Sequence, residues 1–492
     1  MLGGDPIQKY LTMPEVVEEL KRMKDIGLPI TAINLINYLK GMISVIYIGR
    51  LGRLELAGGA LAVGFTNITG YSVLSGLATG MEPVCSQAFG SRNLPCVISA
   101  LRRTILLLLL ASLPISLLWI NLETLMLHLQ QDKEISKVAG KYCLFSLPDL
   151  IANSLLHPIR IYFRSKGQPQ PLMWSSALSL LLHLPLTTLL SSTLHLGIQG
   201  VAIATFTTNF TTLLILLVYT LYTKPPPDHF YSPLPPSSPK LVVEWSSLLR
   251  LAIPSCLAVC LEWWWYELMT LLSGYLHHPH VTLATAAIVI QTTSLMYTLP
   301  TTLSSSVSAR VGNELGAGRP THARVAAKVA MILSFMVSCI SLAWTTVGRE
   351  AWGRVFTGDE EVLQLTKTIL PVIGLCELAN CPQTTGCGVL RGSARPGIGA
   401  AINLYSFYLV GAPVAVLLAF GLDWGFVGLC LGLLAAQVVC AVSIVVVTLR
   451  TDWEREACKA MDLVGPSVVI EESPIKPTKA QDDVALLLDI SD

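Results

Sequence analysis

The chain has 492 residues, of which 52% are hydrophobic and 13% charged, and its net charge is +1. Charge at about half the ~25% usual in soluble domains excludes an ordinary soluble enzyme, and the wealth of aliphatic residues excludes disorder. The near-neutral balance leaves no basic footprint for a nucleic-acid partner.

Residues 1–27 carry Glu15, Glu18, Glu19, Lys21, Arg22, Lys24 and Asp25. This is an amphipathic, charged N-terminal segment rather than a cleavable signal peptide. Apolar runs bounded by charge, Gly or Pro then predict twelve transmembrane helices. They cover 28–48, 57–81, 100–121, 138–158, 172–192, 198–222, 246–271, 282–307, 325–347, 366–390, 398–420 and 426–449. Thr66, Asn67, Thr69, Ser72 and Ser75 dilute the second span, so it should face protein or a water-filled cavity. A Pro-rich linker, 223–245, follows the sixth span and cannot be helical. Residues 451–492 contain no apolar span and are expected to be a mostly mobile tail. Asp482 to Leu487 fits an acidic dileucine pattern of the kind a sorting adaptor reads, the alternative being a frayed amphipathic turn.

Of the 33 Lys and Arg, 24 fall on one side of this topology, 8 on the other, and Lys40 lies inside the first span. By the positive-inside rule both termini are expected in the cytosol. The 12 cysteines form no CxxC pair and no Cys/His metal spacing, so neither cofactor nor metal is expected. There is no ATP-binding loop, HExxH or GxSxG. Asn67-Ile-Thr69 and Asn209-Phe-Thr211 match the glycosylation triplet but lie within spans and should be unmodified.

The linker divides the chain near its middle, into lobes 28–222 and 246–450. Small-residue landmarks repeat between them. Pro29 falls on Pro254, Gln87 to Gly90 on Asn313 to Gly316, Leu56 on Leu283, Arg164 on Arg391, and Gly197 and Gly200 on Gly425 and Gly428, at offsets of 225 to 228. Six spans per half make both halves enter from the same side, as parallel repeats. The glycines of FGSRN at 89–93 and LGAGRP at 315–320 are expected to form tight basic turns.

Ionisable groups inside spans cost roughly 2.5–3.5 kcal/mol each on insertion scales, so each one calls for a role or a partner. The candidates are Lys40, Glu82, Asp149, Glu262, Glu267 and Glu377. Glu82 is either a cavity carboxylate or an interfacial one near Arg92 or Arg102. Asp149 follows Pro148 and either caps a bend, the expected reading, or takes a proton role. Lys40 either pairs with a carboxylate or lines a cavity and attracts an anionic substrate. Glu262 and Glu267 are five positions apart and cannot share a helix face, whereas Tyr266 shares that of Glu262. Glu377, Asn380, Thr384, Gly388 and Arg391 follow helical spacing across Pro382. Glu377 is there a functional carboxylate, or a structural one capping the proline break.

The paired signatures of spans 2–3 and 8–9, CLEWWWYELMTLLSG at 260–274 and GVLRGSARP at 388–396 resemble the multidrug and toxic compound extrusion (MATE) family, in its plant branch, over about residues 20 to 450. The resemblance implies an all-α polytopic membrane protein, with twelve transmembrane helices in two six-helix parallel repeats around a central cavity. It also implies a secondary active transporter that exports or sequesters small organic compounds in exchange for protons. The alternative is a lipid or oligosaccharide flippase, or a substrate-sensing receptor, on the same scaffold. Many plant members carry an aspartate where this chain has Asn380. Glu262, Glu377 and then Glu267 are the expected proton-coupling residues. Asn34, Asn37, Tyr38, Lys40, Glu82, Tyr266, Asn380, Gln383 and Thr384 are the expected cavity residues. The expected location is the plasma membrane or an endomembrane (vacuolar, Golgi or late endosomal).

Overall fold

The computed structural model describes residues 13–223 and 244–465. The linker from 224 to 243 and the Asp482 to Leu487 pattern lie outside the described residues. Those described are helices and short connections, with no strand among them.

Eleven helices are long and apolar enough to cross a bilayer: Met13–Leu51 (span 1), Arg53–Gly90 (span 2), Leu94–Ile120 (span 3), Gln170–Thr193 (span 5), Ile198–Tyr222 (span 6), Trp245–Ser273 (span 7), His280–Gly316 (span 8), Pro320–Val347 (span 9), Glu360–Gly392 (span 10), Pro396–Gly421 (span 11) and Gly425–Leu449 (span 12). Span 4, Lys133–Ser165, is the twelfth. Lysines at its start, and Asp149, His157 and Arg160 inside it, make it too polar to qualify on composition. Serine and threonine hydroxyls do not break these helices because they bond back to the preceding turn, as Ser112 does to the Leu108 carbonyl at 2.8 Å and Ser154 to Leu150 at 2.7 Å. Asp132 and Asp359 cap spans 4 and 10 alike, each accepting two backbone N–H groups of the first turn.

The duplication extends to backbone conformation. Left-handed φ values recur in register at Arg92 and Gly318, Gly167 and Ala394, His195 and Asp423, and Gly197 and Gly425, at offsets of 226, 227, 228 and 228. The short helices Leu122–His128 and Arg349–Phe356 occupy the same place in the two halves, between third and fourth spans of each. Gly197 and Gly425 have φ of 58° and 57°, which explains this landmark pair.

Gly90 and Gly316 have a different reason. Neither is a turn residue; the turns use Arg92 and Gly318 instead. A methyl group on Gly316 would lie 1.9 Å from the Gln87 carbonyl oxygen, and one on Gly90 would lie 2.1 Å from that of Asn313. The two copies of the motif therefore pack on each other, joining spans 2 and 8 at the end of the bundle that carries the termini (the termini end). The expected turn role of these two glycines is corrected to a helix crossing that only a residue without Cβ allows.

The two ends of the chain also differ from expectation. Span 1 starts at Met13, so no boundary falls at residue 27. Part of the expected mobile tail is a helix, Trp453–Val464, whose Trp453, Ala457, Ala460 and Val464 are buried. Its apolar face packs with Met23 of span 1 and Val307, Val311 and Leu315 of span 8. An amphipathic 12-residue helix needs no membrane-length apolar run to be ordered; it needs one matching face.

Candidate functional site

Each lobe encloses a buried carboxylate site built from equivalent elements. In the C-terminal lobe, Glu262 of span 7 and Glu377 of span 10 are both buried and interact electrostatically. Asn380, one turn after Glu377, donates to its two carboxylate oxygens at 3.2 and 3.1 Å. The Tyr297 hydroxyl bonds to Glu262. Tyr266 lies against both glutamates and accepts a 3.4 Å bond from Gln437 of span 12. Thr384 donates to the Asn380 Oδ1 at 3.3 Å, extending the polar line along span 10. Pro382 lies within this unbroken helix, so Glu377 is not spent on capping a break.

In the N-terminal lobe the carboxylate is Asp149. It accepts from Tyr71 at 2.7 Å, Asn153 at 2.9 Å and Asn209 at 2.7 Å. The expectation that Asp149 caps a bend is therefore corrected: its oxygens are used by spans 2 and 6 as well as by its own helix. Lys40 reaches into the same site and donates to Asn209 Oδ1 at 2.9 Å and Ser179 at 3.4 Å. The Asn209 amide thus bridges ammonium and carboxylate, and the two do not pair directly. Tyr71 and Tyr297, Asn153 and Asn380, and Asn209 and Gln437 are repeat partners at offsets of 226, 227 and 228.

The charges break this symmetry. At the offset of 225 that relates Pro29 to Pro254, Lys40 falls on Trp265, which is buried against Phe407 and Tyr408. The N-terminal lobe therefore carries an ammonium where its copy carries an indole. The C-terminal lobe holds two carboxylates with no ion-pair partner among the described residues, although Arg391 attracts Glu262.

A third polar group joins the lobes at the termini end. Glu82 lies 3.3 Å from Arg391 Nε, and this interlobe pairing replaces the expected neighbours Arg92 and Arg102. Arg164, the repeat partner of Arg391, is also attracted by Glu82. The two arginines donate to adjacent serines of span 8, Arg164 to Ser305 at 2.9 Å and Arg391 to Ser304 at 2.7 Å. Nearby, Arg310 of span 8 grips Glu19 of span 1 with two bonds of 2.7 and 2.8 Å, and also holds Glu314.

The remaining expected residues are scattered. Asn34 and Tyr38 lie on the seam between lobes, donating to Thr301 at 3.1 Å and to the Gln291 carbonyl at 3.4 Å respectively. Asn37 is exposed, and one turn on, a Cβ at Gly41 would meet nothing within 4 Å. Gln383 is fully buried, and neither of its amide atoms has a partner among the described residues. Glu267 points away from Glu262 and toward Gly64 of span 2. Tyr71, Asn153, His157, Arg160, Asn209 and Tyr297 were not singled out from the sequence. Spacing does reveal part of this set, because Asp149, Asn153, His157, Arg160 and Arg164 share one face of span 4.

A family model described as MatE matches residues 29–189 and 254–417, one stretch in each lobe. The chain is 61% identical over 468 residues to Protein DETOXIFICATION 55 of Arabidopsis thaliana, covering 93% of each. It is 50% identical over 461 residues to Protein DETOXIFICATION 49 of the same plant, covering 94% of this chain and 91% of that one. Among solved structures it resembles the eukaryotic MATE transporter AtDTX14, with a TM-score of 0.83 at 32% identity over 92% of this chain and 100% of that one. The Vibrio cholerae MATE transporter VcmN in the bent form gives a TM-score of 0.75 at 17% identity, over 92% of this chain and 100% of that one; at this identity the likeness speaks to fold alone.

Proposed function

Since the chain belongs to the MATE family of secondary transporters, which are not enzymes, we propose that it exports or sequesters small organic compounds in exchange for protons, and that Glu262 and Glu377 hold the coupling proton. The observation that carries this reading is the pair of buried, mutually interacting carboxylates in the C-terminal lobe. Two carboxylates sharing one desolvated site resist carrying two negative charges, so the pair titrates as a unit. Asn380 and Tyr297 orient the two acids, and Tyr266 bridges them toward span 12. Gain and loss of the proton changes the buried charge on span 7. Span 7 also contacts span 2 of the other lobe through Trp264, whose indole N–H donates to the Ile68 carbonyl at 3.1 Å. A charge change on one side of span 7 is thereby felt at the seam on its other side.

Both termini face the cytosol in this reading, supported by the 24 basic residues on that side against 8 on the other. The test uses purified full-length protein in vesicles, with Glu262→Gln and Glu377→Gln made singly. Each variant should lose uptake driven by a pH gradient while remaining monodisperse. A variant that transports at the normal rate with normal pH dependence removes that residue from the coupling role, and Glu267 becomes the next candidate.

A further inference from the structure

A half-buried cation without a partner lies in the N-terminal lobe, on the face of span 4 that carries Asp149. Arg160 has no hydrogen-bond or ion-pair partner for its side chain among the described residues, and the same is true of His157 one turn earlier. Arg160 is half-buried and lies close enough to Lys40 to repel it and to Asp149 to be attracted by it. Asp149 cannot neutralise both cations. Its oxygens are already occupied by Tyr71, Asn153 and Asn209, and Lys40 reaches it only through the Asn209 amide. Glu82, the other acid of this lobe's interior, is committed to Arg391 and shared with Arg164. A half-buried guanidinium without a partner inside a helical bundle is costly unless it faces a ligand or water. On span 1, Asn37 lies one turn before Lys40 and is exposed, and a Cβ at Gly41 would meet nothing within 4 Å.

From this we infer that the N-terminal lobe is the substrate half of the protein, and that its substrate is a small organic carboxylate seated on the Arg160 guanidinium with Lys40 beside it. A planar guanidinium meets a carboxylate with two parallel N–H bonds, a geometry an ammonium cannot reproduce. The inference deepens the transport reading and rests on it: negative substrate in one lobe, exchangeable proton on the acids of the other. The division needs no shared site, because the cations Lys40 and Arg160 of one lobe have the neutral Trp265 and Cys387 as their repeat partners in the other. Asn153, His157 and Arg160 share a face of span 4 with Asp149; on span 10, Asn380, Thr384 and Cys387 stand in their places, on the face of Glu377.

The test is equilibrium binding to the purified full-length protein in nanodiscs, with no gradient present. The probes are 2-naphthoate, its uncharged counterpart 2-naphthamide, and tetraphenylphosphonium as an organic cation. Naphthoate should bind at least about tenfold more tightly than either other probe, the usual worth of one charge-assisted hydrogen bond. Arg160→Gln should weaken naphthoate about tenfold or more, Arg160→Lys should recover part of the loss, and naphthamide should be indifferent to both. Lys40→Gln, made separately, should weaken naphthoate in the same direction. Overturning results are equal affinity for naphthoate and naphthamide, preference for the cation, no naphthoate binding by folded wild type, or unchanged binding in a monodisperse Arg160→Gln variant. Because no gradient is used, this outcome is separable from the coupling test. Loss of pH-driven transport in the glutamate variants with unchanged naphthoate binding in Arg160→Gln sinks only the substrate inference. The reverse pattern sinks only the assignment of the proton.

Discussion

At the scale of single residues, the N-terminal site turns on the orientation of one amide. Asn209 accepts from Lys40 through its oxygen and donates to Asp149 through its nitrogen, so a flipped amide would oppose donor to donor and acceptor to acceptor. Asn209→Leu removes both bonds and leaves two charged groups short of a partner. The expected cost is about 1–3 kcal/mol for each group left unsatisfied, read as a lower thermal unfolding midpoint in detergent; a midpoint equal to wild type would show that the bridge is idle. Little of this was legible beforehand. Asn209 lies 60 residues from Asp149, and in the sequence it marks only a glycosylation triplet inside a span. Lys40 and Asp149 were visible because charge in an apolar run stands out by itself. A neutral amide, or a tyrosine such as Tyr71 or Tyr297, leaves no such trace, since its role depends on which helix packs opposite.

At the scale of helices, the crossing of spans 2 and 8 is set by glycines whose neighbours are backbone atoms, which cannot swing away as a side chain can. Gly316→Ala must push the helices apart or bend one, at a cost of about 1–3 kcal/mol, as for overpacking elsewhere. Gly41→Ala is the matched control. It adds the same methyl in open space and should equal wild type or gain up to about 1 kcal/mol from helix propensity. The comparison is read from unfolding midpoints of the two variants side by side, and equal midpoints would contradict the packing described. Helix positions were largely legible here, because twelve apolar runs gave the twelve spans. Their ends were not: span 8 continues past 307 to Gly316, because Ser305 and Arg310 find partners in the other lobe and Ser304 finds one in span 10. Hydropathy marks the length of helix that lipid accepts, not the length that another helix supports.

For the whole molecule, polar contacts between lobes gather at the termini end. Arg310 with Glu19, Arg391 with Glu82, and Gln87, whose amide donates to the Gly392 carbonyl at 2.9 Å, all link one half to the other there. The helix Trp453–Val464 adds a further tie, with Asn93 donating to the Val464 carbonyl at 2.7 Å and Arg395 lying 3.8 Å from Glu456. Removing one partner of a buried ion pair costs roughly 3–5 kcal/mol. Glu19→Gln should therefore favour separation of the lobes at this end. The readout is the alkylation rate of Ser305→Cys by a membrane-permeant maleimide, which should rise when Glu19→Gln is added. An unchanged rate would mean that the Glu19 contact does not hold this end shut. The sequence already indicated the repeat that makes these ties possible, but not that its two copies of the Gln87 to Gly90 motif touch each other.

That contact has a mechanical consequence. Span 8 has 37 residues and is about 55 Å long at 1.5 Å per residue. With the glycine crossing near one tip acting as a fulcrum, a tilt of about 10° sweeps the opposite tip through about 10 Å, room for an aromatic ring, while atoms within a turn of the pivot move by less than about 1 Å. A rocking of the lobes about Gly90 and Gly316 would work as tweezers do, with what little play the joint has amplified along the arms, and it would have to slide the second close crossing, Gly76 and Gly80 on Cys256 and Ala252.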